Sequence, residues 1–262
     1  MSVTVINDNF VHYEVFGRGK PVIFLHGWLG SWRYWWPSMQ ALSKHHRTFA
    51  FDLWGFGDSG KVTSEYSFEA YLDMLEQFVE RLGIQGALTL IGHDVGAAIA
   101  LRFARLNPQL VERVVAVSLP VNSNAINHNL SNGKTESFVN RYLSKSAAFP
   151  ELEQEAGKHD LSAISAVASQ LMLYDCTLDL EQATCQVLLV FGDRDAIIKA
   201  PENGAVPQAF LDDSLHVVTL EGCNHFPMLE ETAVFNRLIE DFIHNQEQVT
   251  IAPKDYWQRR TR

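Results

Sequence analysis

Cysteine is scarce in this chain, and the three present, Cys176, Cys185 and Cys223, are odd in number and match no metal-ligand spacing. Neither a disulfide framework nor a metal site is therefore expected, and the thiols read as reduced and buried. Basic residues are also in short supply. Against 31 Asp and Glu there are only 21 Lys and Arg, a formal charge of -10. The chain lacks the positive footprint that nucleic-acid binding requires, so nucleic acid is not an expected partner. No apolar run reaches membrane-spanning length, and the opening Met-Ser-Val-Thr-Val-Ile lacks the basic and apolar regions of a secretory leader. No membrane association and a cytoplasmic location are the expectations. Nucleotide and flavin motifs, internal repeats and low-complexity tracts are missing too, so no cofactor is expected.

What is present fits one globular domain with a sizeable core: 262 residues, 47% hydrophobic and 20% charged. Short apolar runs rich in Val, Ile, Leu and Phe recur at 3–6, 11–16, 21–25, 48–51, 87–91, 114–119, 187–191 and 215–220. Each has the length of a strand. From the third onward they alternate with helical patterns. The clearest is Phe68, Tyr71, Leu72, Leu75, Phe78, Val79 and Leu82, at three- and four-residue steps. Such alternation predicts an α/β fold with a mostly parallel, eight-stranded sheet and helices on both faces.

Between about Val121 and Thr184 the alternation stops, and polar helix-like segments take over. The expected organisation is a core at 1–120 and 185–245, a helical cap insertion at 121–184 and a tail at 246–262. Ligands in open α/β sheets bind outside the carboxyl ends of the strands, where a cap would roof the pocket. The tail carries Lys254, Arg259, Arg260 and Arg262 beside Tyr256 and Trp257. It is a possible interaction handle, although a frayed terminus explains the same residues.

The central chemical signal is Leu88-Thr89-Leu90-Ile91-Gly92-His93-Asp94-Val95-Gly96-Ala97-Ala98, an apolar strand running into a sharp turn and a helix of small residues. It has the form of a nucleophile elbow with Asp94 where serine usually stands. Upstream, Val22 to Leu25 runs into His26-Gly27-Trp28, a place for a loop donating one oxyanion-hole amide, Trp28, with Val95 supplying the other. The glycine-punctuated loop from Asp52 to Ser59 reads as structural. Downstream, Gly192-Asp193-Arg194-Asp195 and Gly222-Cys223-Asn224-His225-Phe226 each follow a strand. They supply an acid, Asp195 ahead of Asp193, and a histidine, His225, in the chain order this fold uses. His93 reads as buried in the elbow, and Trp32, Tyr34, Trp35 and Trp36 as packing.

From Pro21 to about His244 the chain resembles the α/β-hydrolase superfamily. Its Gly-His-Asp-x-Gly elbow resembles the branch of epoxide hydrolases, haloalkane dehalogenases and fluoroacetate dehalogenases. The resemblance implies that Asp94 attacks a tetrahedral carbon and becomes an ester, that His225 activates water and that Asp195 orients His225. A carboxylate with an ordinary pKa near ~3.9 is ionised at neutral pH and needs no base to attack. Val95 and Ala97 stand where a halide-holding Trp and carboxylate-clamping Arg residues would be expected in the dehalogenases. Leu29 and Gly30 replace the branch's usual proline. Epoxide hydrolases use two cap tyrosines to protonate the ring oxygen, for which Tyr142 and Tyr174 are the candidates. Trp28 and Phe226 are expected to line an apolar small-molecule pocket. Two other readings are a dehalogenase of the same mechanism and an altered esterase that only binds ligands.

Overall fold

The eight apolar runs form eight strands: β1 (Ser2–Ile6), β2 (Asn9–Phe16), β3 (Lys20–Leu25), β4 (His46–Phe51), β5 (Leu88–His93), β6 (Val111–Val117), β7 (Gln186–Gly192) and β8 (Leu215–Leu220). The computed structural model describes residues 2–127, 149–201 and 214–244. All eight strands join one sheet in the order β1-β2-β4-β3-β5-β6-β7-β8. β1 and β2 are antiparallel to their neighbours, and every pair from β4 to β8 is parallel. Asn7 and Asp8, at φ 47° and 59°, form the tight β1–β2 turn, for which short polar side chains in the left-handed region are favoured.

Helices fill both faces. On one lie α2 (Phe68–Arg81) and α3 (Val95–Leu106); on the other, α1 (Trp36–Leu42) and a carboxy-terminal α8 (Thr232–His244) preceded by the short α7 (Pro227–Glu230). Ser67 caps α2 by accepting from the Ala70 amide, and Phe68, Tyr71, Met74, Leu75, Phe78 and Val79 form its buried stripe. Strand alternation divides the core accordingly. In β3, Ile23 and Leu25 face the α2–α3 side while Val22 and Phe24 face the α1–α8 side. In β7, Val187, Leu189 and Phe191 face the first and Leu188 and Val190 the second.

Between β6 and β7 the described residues hold α4 (Pro150–Glu153), α5 (Leu161–Leu171), α6 (Thr177–Glu181) and two 3-10 turns. Polar bonds tie this stretch to the core. Asp160 donates its amide to the Gly55 carbonyl and accepts the Tyr66 hydroxyl, each at 2.8 Å, and Glu155 accepts from Arg33 Nε at 2.8 Å. None of the described helices is long and apolar enough to cross a membrane.

The strand order itself positions the site. β3 lies between β4, which follows it, and β5, so the chain turns opposite ways from neighbouring strand ends and leaves a crevice there. Leu25 at the end of β3 registers with Gly92 in β5, which sets residues 26–28 beside residues 93–95.

Candidate active site

Asp94 sits at the turn between β5 and α3 with φ 51° and ψ -108°, a conformation sterically disfavoured for a residue with a side chain. The turn closes because its flanking positions are glycines. A Cβ at Gly92 would lie 2.2 Å from the Gly96 carbonyl oxygen, and one at Gly96 would lie 2.3 Å from that of Leu25. The helix can thus start directly against two strands, and the Asp94 side chain is driven out at their carboxyl ends.

The carboxylate is fully buried. Its Oδ2 lies 3.4 Å from the Trp28 amide, which donates to it, and 3.7 Å from His225 Nε2. Among the described residues, its Oδ1 accepts no hydrogen bond. The Val95 amide lies close enough to favour the charge of this carboxylate. Burial raises the Asp94 pKa, opposed by His225 and by the Trp28 and Val95 amides.

His225 follows β8, and its Nδ1–H donates to Asp195 Oδ2 at 2.8 Å. Asp195, after β7, is held by three further bonds: the Ser118 hydroxyl on Oδ2 at 3.0 Å, and the Ile197 and Ile198 amides on Oδ1 at 2.8 and 3.0 Å. Burial disfavours its charge, but His225 and these amides outweigh it and hold its pKa below the ordinary value. Burial likewise disfavours charge on His225, yet Asp195 and Asp94 together lift its pKa to about 9. The alternative acid, Asp193, points elsewhere and accepts the Gly222 amide at 2.7 Å.

The Trp28 amide is aimed through its own peptide plane. The Gly27 carbonyl of that plane accepts from His26 Nδ1 at 2.8 Å and from the Gly30 amide at 3.1 Å. His26 is fixed in turn because its Nε2 accepts from the Leu53 amide at 2.9 Å. In a trans peptide the N–H points opposite to the carbonyl, so holding the Gly27 oxygen turns Trp28 N–H toward Asp94.

The structure thus brings Asp94, His225, Asp195, Trp28 and Val95 together. Phe226 packs its ring 5.1 Å from that of His225, and both Phe226 and Trp28 are almost fully buried. Tyr174 corrects an expectation. Its hydroxyl, expected to serve a substrate oxygen, donates to Asp179 Oδ2 at 2.9 Å, and its ring packs on Phe68. Asp179 is buried and also accepts from Arg102 and Arg105, each at 2.6 Å, so Tyr174 completes a polar lock between α6 and α3. Tyr142 and the tail residues lie outside the described residues.

Ser118 and Tyr34 are the additions sequence reasoning missed. Ser118 ends β6 at φ 47°, which swings its hydroxyl to Asp195; no residue pattern announces that conformation. Tyr34 is buried as expected of packing, yet its hydroxyl contacts both Gly27 and His93. A buried tyrosine near the loop after β3, whose hydroxyl must find a partner, was the available signal.

His12, Asp52 and Asp58 bring ligand-type atoms within 4.8 Å of one another. Asp52 is already engaged, with Oδ2 accepting from His12 Nδ1 and the Asp58 amide and Oδ1 from the Trp32 amide. The group shapes the loop that starts at Asp52, consistent with its structural reading.

A buried carboxylate on a strained strand-to-helix turn, a histidine and acid from the next strand ends, and two convergent amides complete the pattern. The chain has the α/β-hydrolase fold. A family model described as alpha/beta hydrolase fold matches residues 20–136. A soluble epoxide hydrolase from Corynebacterium sp. (strain C12) is 35% identical over 115 residues, 44% of this chain and 40% of that one. The match spans only about two-fifths of that relative. Among solved α/β-hydrolase-fold structures, a bromoperoxidase from Bacillus anthracis has a TM-score of 0.79 at 21% identity, covering 93% of this chain and 99% of that one. An epoxide hydrolase from Vigna radiata has a TM-score of 0.73 at 21% identity, covering 92% and 96%. At that identity the two structures show the shared fold alone, and the expected eight-stranded α/β-hydrolase architecture is borne out.

Proposed function

We propose that this chain is a cofactor-independent hydrolase that opens a small, neutral, largely apolar epoxide through an ester on Asp94. The observation that carries the reading is the state of that carboxylate: buried, with Oδ2 turned to the Trp28 amide and His225, and Oδ1 accepting no hydrogen bond from the described residues. A buried polar atom left without a partner costs about 1–3 kcal/mol, more for a charged group. Such an oxygen is what in-line attack on a carbon requires.

In the first step Asp94 Oδ1 bonds to a ring carbon as its carbon–oxygen bond breaks, and the ring oxygen takes a proton. Tyr142, which lies outside the described residues, is the remaining candidate for donating it. Ester formation removes the Asp94 charge, so His225, held at about 9 partly by that charge, releases its proton to solvent and takes one back when the Asp94 charge returns. Water then attacks Cγ of Asp94 while His225 Nε2 takes its proton, Asp195 steadies the imidazolium, and the oxyanion forming at Oδ2 meets the Trp28 and Val95 amides. Collapse breaks the ester bond, and His225 returns the proton to the departing alkoxide. Ionisation of the acid left on Asp94 restores the proton consumed in ring opening, so the balance is epoxide plus water to diol.

The similarity to the Corynebacterium epoxide hydrolase supports the substrate class. Intact-protein and peptide mass spectrometry on His225→Gln exposed to neutral epoxides, haloalkanes and haloacids tests it. An epoxide-derived adduct on the Asp94 peptide is expected, and a halide-derived adduct alone would make the chain a dehalogenase. No adduct on either wild type or variant, with the fold intact, would abandon the nucleophile in favour of a ligand-binding role.

A further inference from the structure

We propose that Tyr34 and His93 form a buried clamp that keeps the oxyanion loop, the nucleophile elbow and the histidine loop in mutual register. This makes them positioning residues for the water-driven cleavage of the Asp94 ester; the proposal rests on the function proposed above.

Three loops from distant parts of the chain meet at these two side chains. The Gly27 amide donates to the Tyr34 hydroxyl oxygen at 2.5 Å, that hydroxyl lies 3.1 Å from His93 Nδ1, and His93 Nε2 lies 2.8 Å from the His225 carbonyl oxygen. The direction of each bond follows from what each group can do. A carbonyl only accepts, so His93 Nε2 carries the hydrogen. His93 is wholly buried, which depresses its pKa well below the ordinary value, and it is neutral. Its Nδ1 is therefore a bare acceptor, and the Tyr34 O–H must donate to it, leaving the phenol oxygen to receive Gly27 N–H.

Glycine at 27 is part of the device. A Cβ there would lie 2.8 Å from His93 Nδ1 and 3.0 Å from Asp94 Oδ2, so the loop approaches the elbow closely only without a side chain. The Gly27 carbonyl is already held by His26, and Tyr34 holds the same residue's amide. The peptide that aims Trp28 N–H is thereby fixed on both flanks. At the other end of the clamp, the His93 and His225 rings lie 4.5 Å apart, and the backbone of His225 is pinned by the same His93 that Tyr34 orients.

The two chemical steps place unequal demands on this register. Attack on the epoxide uses one oxygen of Asp94. Ester cleavage needs the imidazole, the water and the oxyanion amides aligned at once, and misplacement by about 1 Å can cost roughly a hundredfold. Tyr34→Phe keeps the ring but removes the partner of two buried polar groups.

The test uses rapid-quench mass spectrometry with 1,2-epoxy-3-(4-nitrophenoxy)propane on wild type, His225→Gln, Tyr34→Phe, His93→Gln and His93→Leu. Tyr34→Phe is expected to slow adduct decay about ten- to a hundredfold while adduct formation changes by less than about threefold. His93→Gln, which keeps a donor for the His225 carbonyl, should retain faster decay than His93→Leu. Nitrogen-15 histidine NMR gives a second readout: His93 should be protonated at Nε2, and Tyr34→Phe should move the His225 ring resonances. Unchanged decay, equal slowing of both steps or a proton on His93 Nδ1 would overturn the clamp. Absence of any adduct, His225→Gln included, refutes the nucleophile instead. The clamp then stands or falls on whether Tyr34→Phe shifts His225.

Discussion

Asp94→Asn replaces the carboxylate with a neutral group of nearly the same shape, and so reproduces the charge state of the proposed ester. In the parent, His225 Nε2 lies 3.7 Å from Asp94 Oδ2, and its pKa is about 9 despite complete burial. Two unit charges at that separation in a medium of effective dielectric ~20 attract by about 4–5 kcal/mol, equivalent to about 3 pKa units. Relaxation around the pair reduces this, so His225 in the variant is expected to titrate about 1–3 units lower. Two-dimensional NMR of the His225 Cε1–H group from about pH 5 to pH 10, assigned by its loss in His225→Gln, measures the change. A fall of that size makes the Asp94 charge the switch that, in the proposed mechanism, turns His225 from a protonated partner into a base. A pKa that stays put, or rises, would show that Asp94 does not lie ionised beside His225, and the two-step logic would fail.

Three further outcomes follow from the packing and charges. The folded-state pKa of His225 is raised from 6.5 to about 9, so its contribution to stability is fully present below about pH 6.5 and is lost as pH rises through about 9. Urea denaturation should show wild type losing up to about 3 kcal/mol more than His225→Gln over that window. Gly96→Ala drives a Cβ into the Leu25 and His26 carbonyls, at 2.3 and 2.6 Å, and should cost about 3 kcal/mol or more, against little change for Gly157→Ala, where nothing lies within 4 Å. Tyr174→Phe should cost about 1 kcal/mol with turnover per folded molecule intact, whereas Asp179→Asn, which strips a buried partner from Arg102 and Arg105, should cost about 3–5 kcal/mol in the same denaturation assay.

The sheet was legible because each strand is a short apolar run, the six inner ones buried on at least one face, and the helix period of α2 is clear. The meeting of Asp94, Asp195 and His225 was legible because each follows a strand of a parallel sheet, so order along the chain already constrains position in space. Choosing Asp195 over Asp193 rested on spacing alone, and it is the former that reaches His225. Tyr174 was misread because its partners are tertiary: Arg102 and Arg105 come from α3, more than 60 residues earlier in the sequence. An isolated tyrosine in a polar segment gives no hint that it closes such a cluster. Ser118 depends on a backbone angle, and the Tyr34 hydroxyl on three loops converging, neither of which leaves a mark on residue order.

The backbone at Asp94 has an implication for how such a chain changes over time. A non-glycine residue at φ 51° and ψ -108° carries about 1–3 kcal/mol of strain, and the same residue buries a charge. For folding alone, glycine at this position is the better choice. Mutation would then drift toward a sturdier molecule without this carboxylate, and if Asp94 acts as the proposed nucleophile, selection for turnover is the force that would hold it where the fold least favours it.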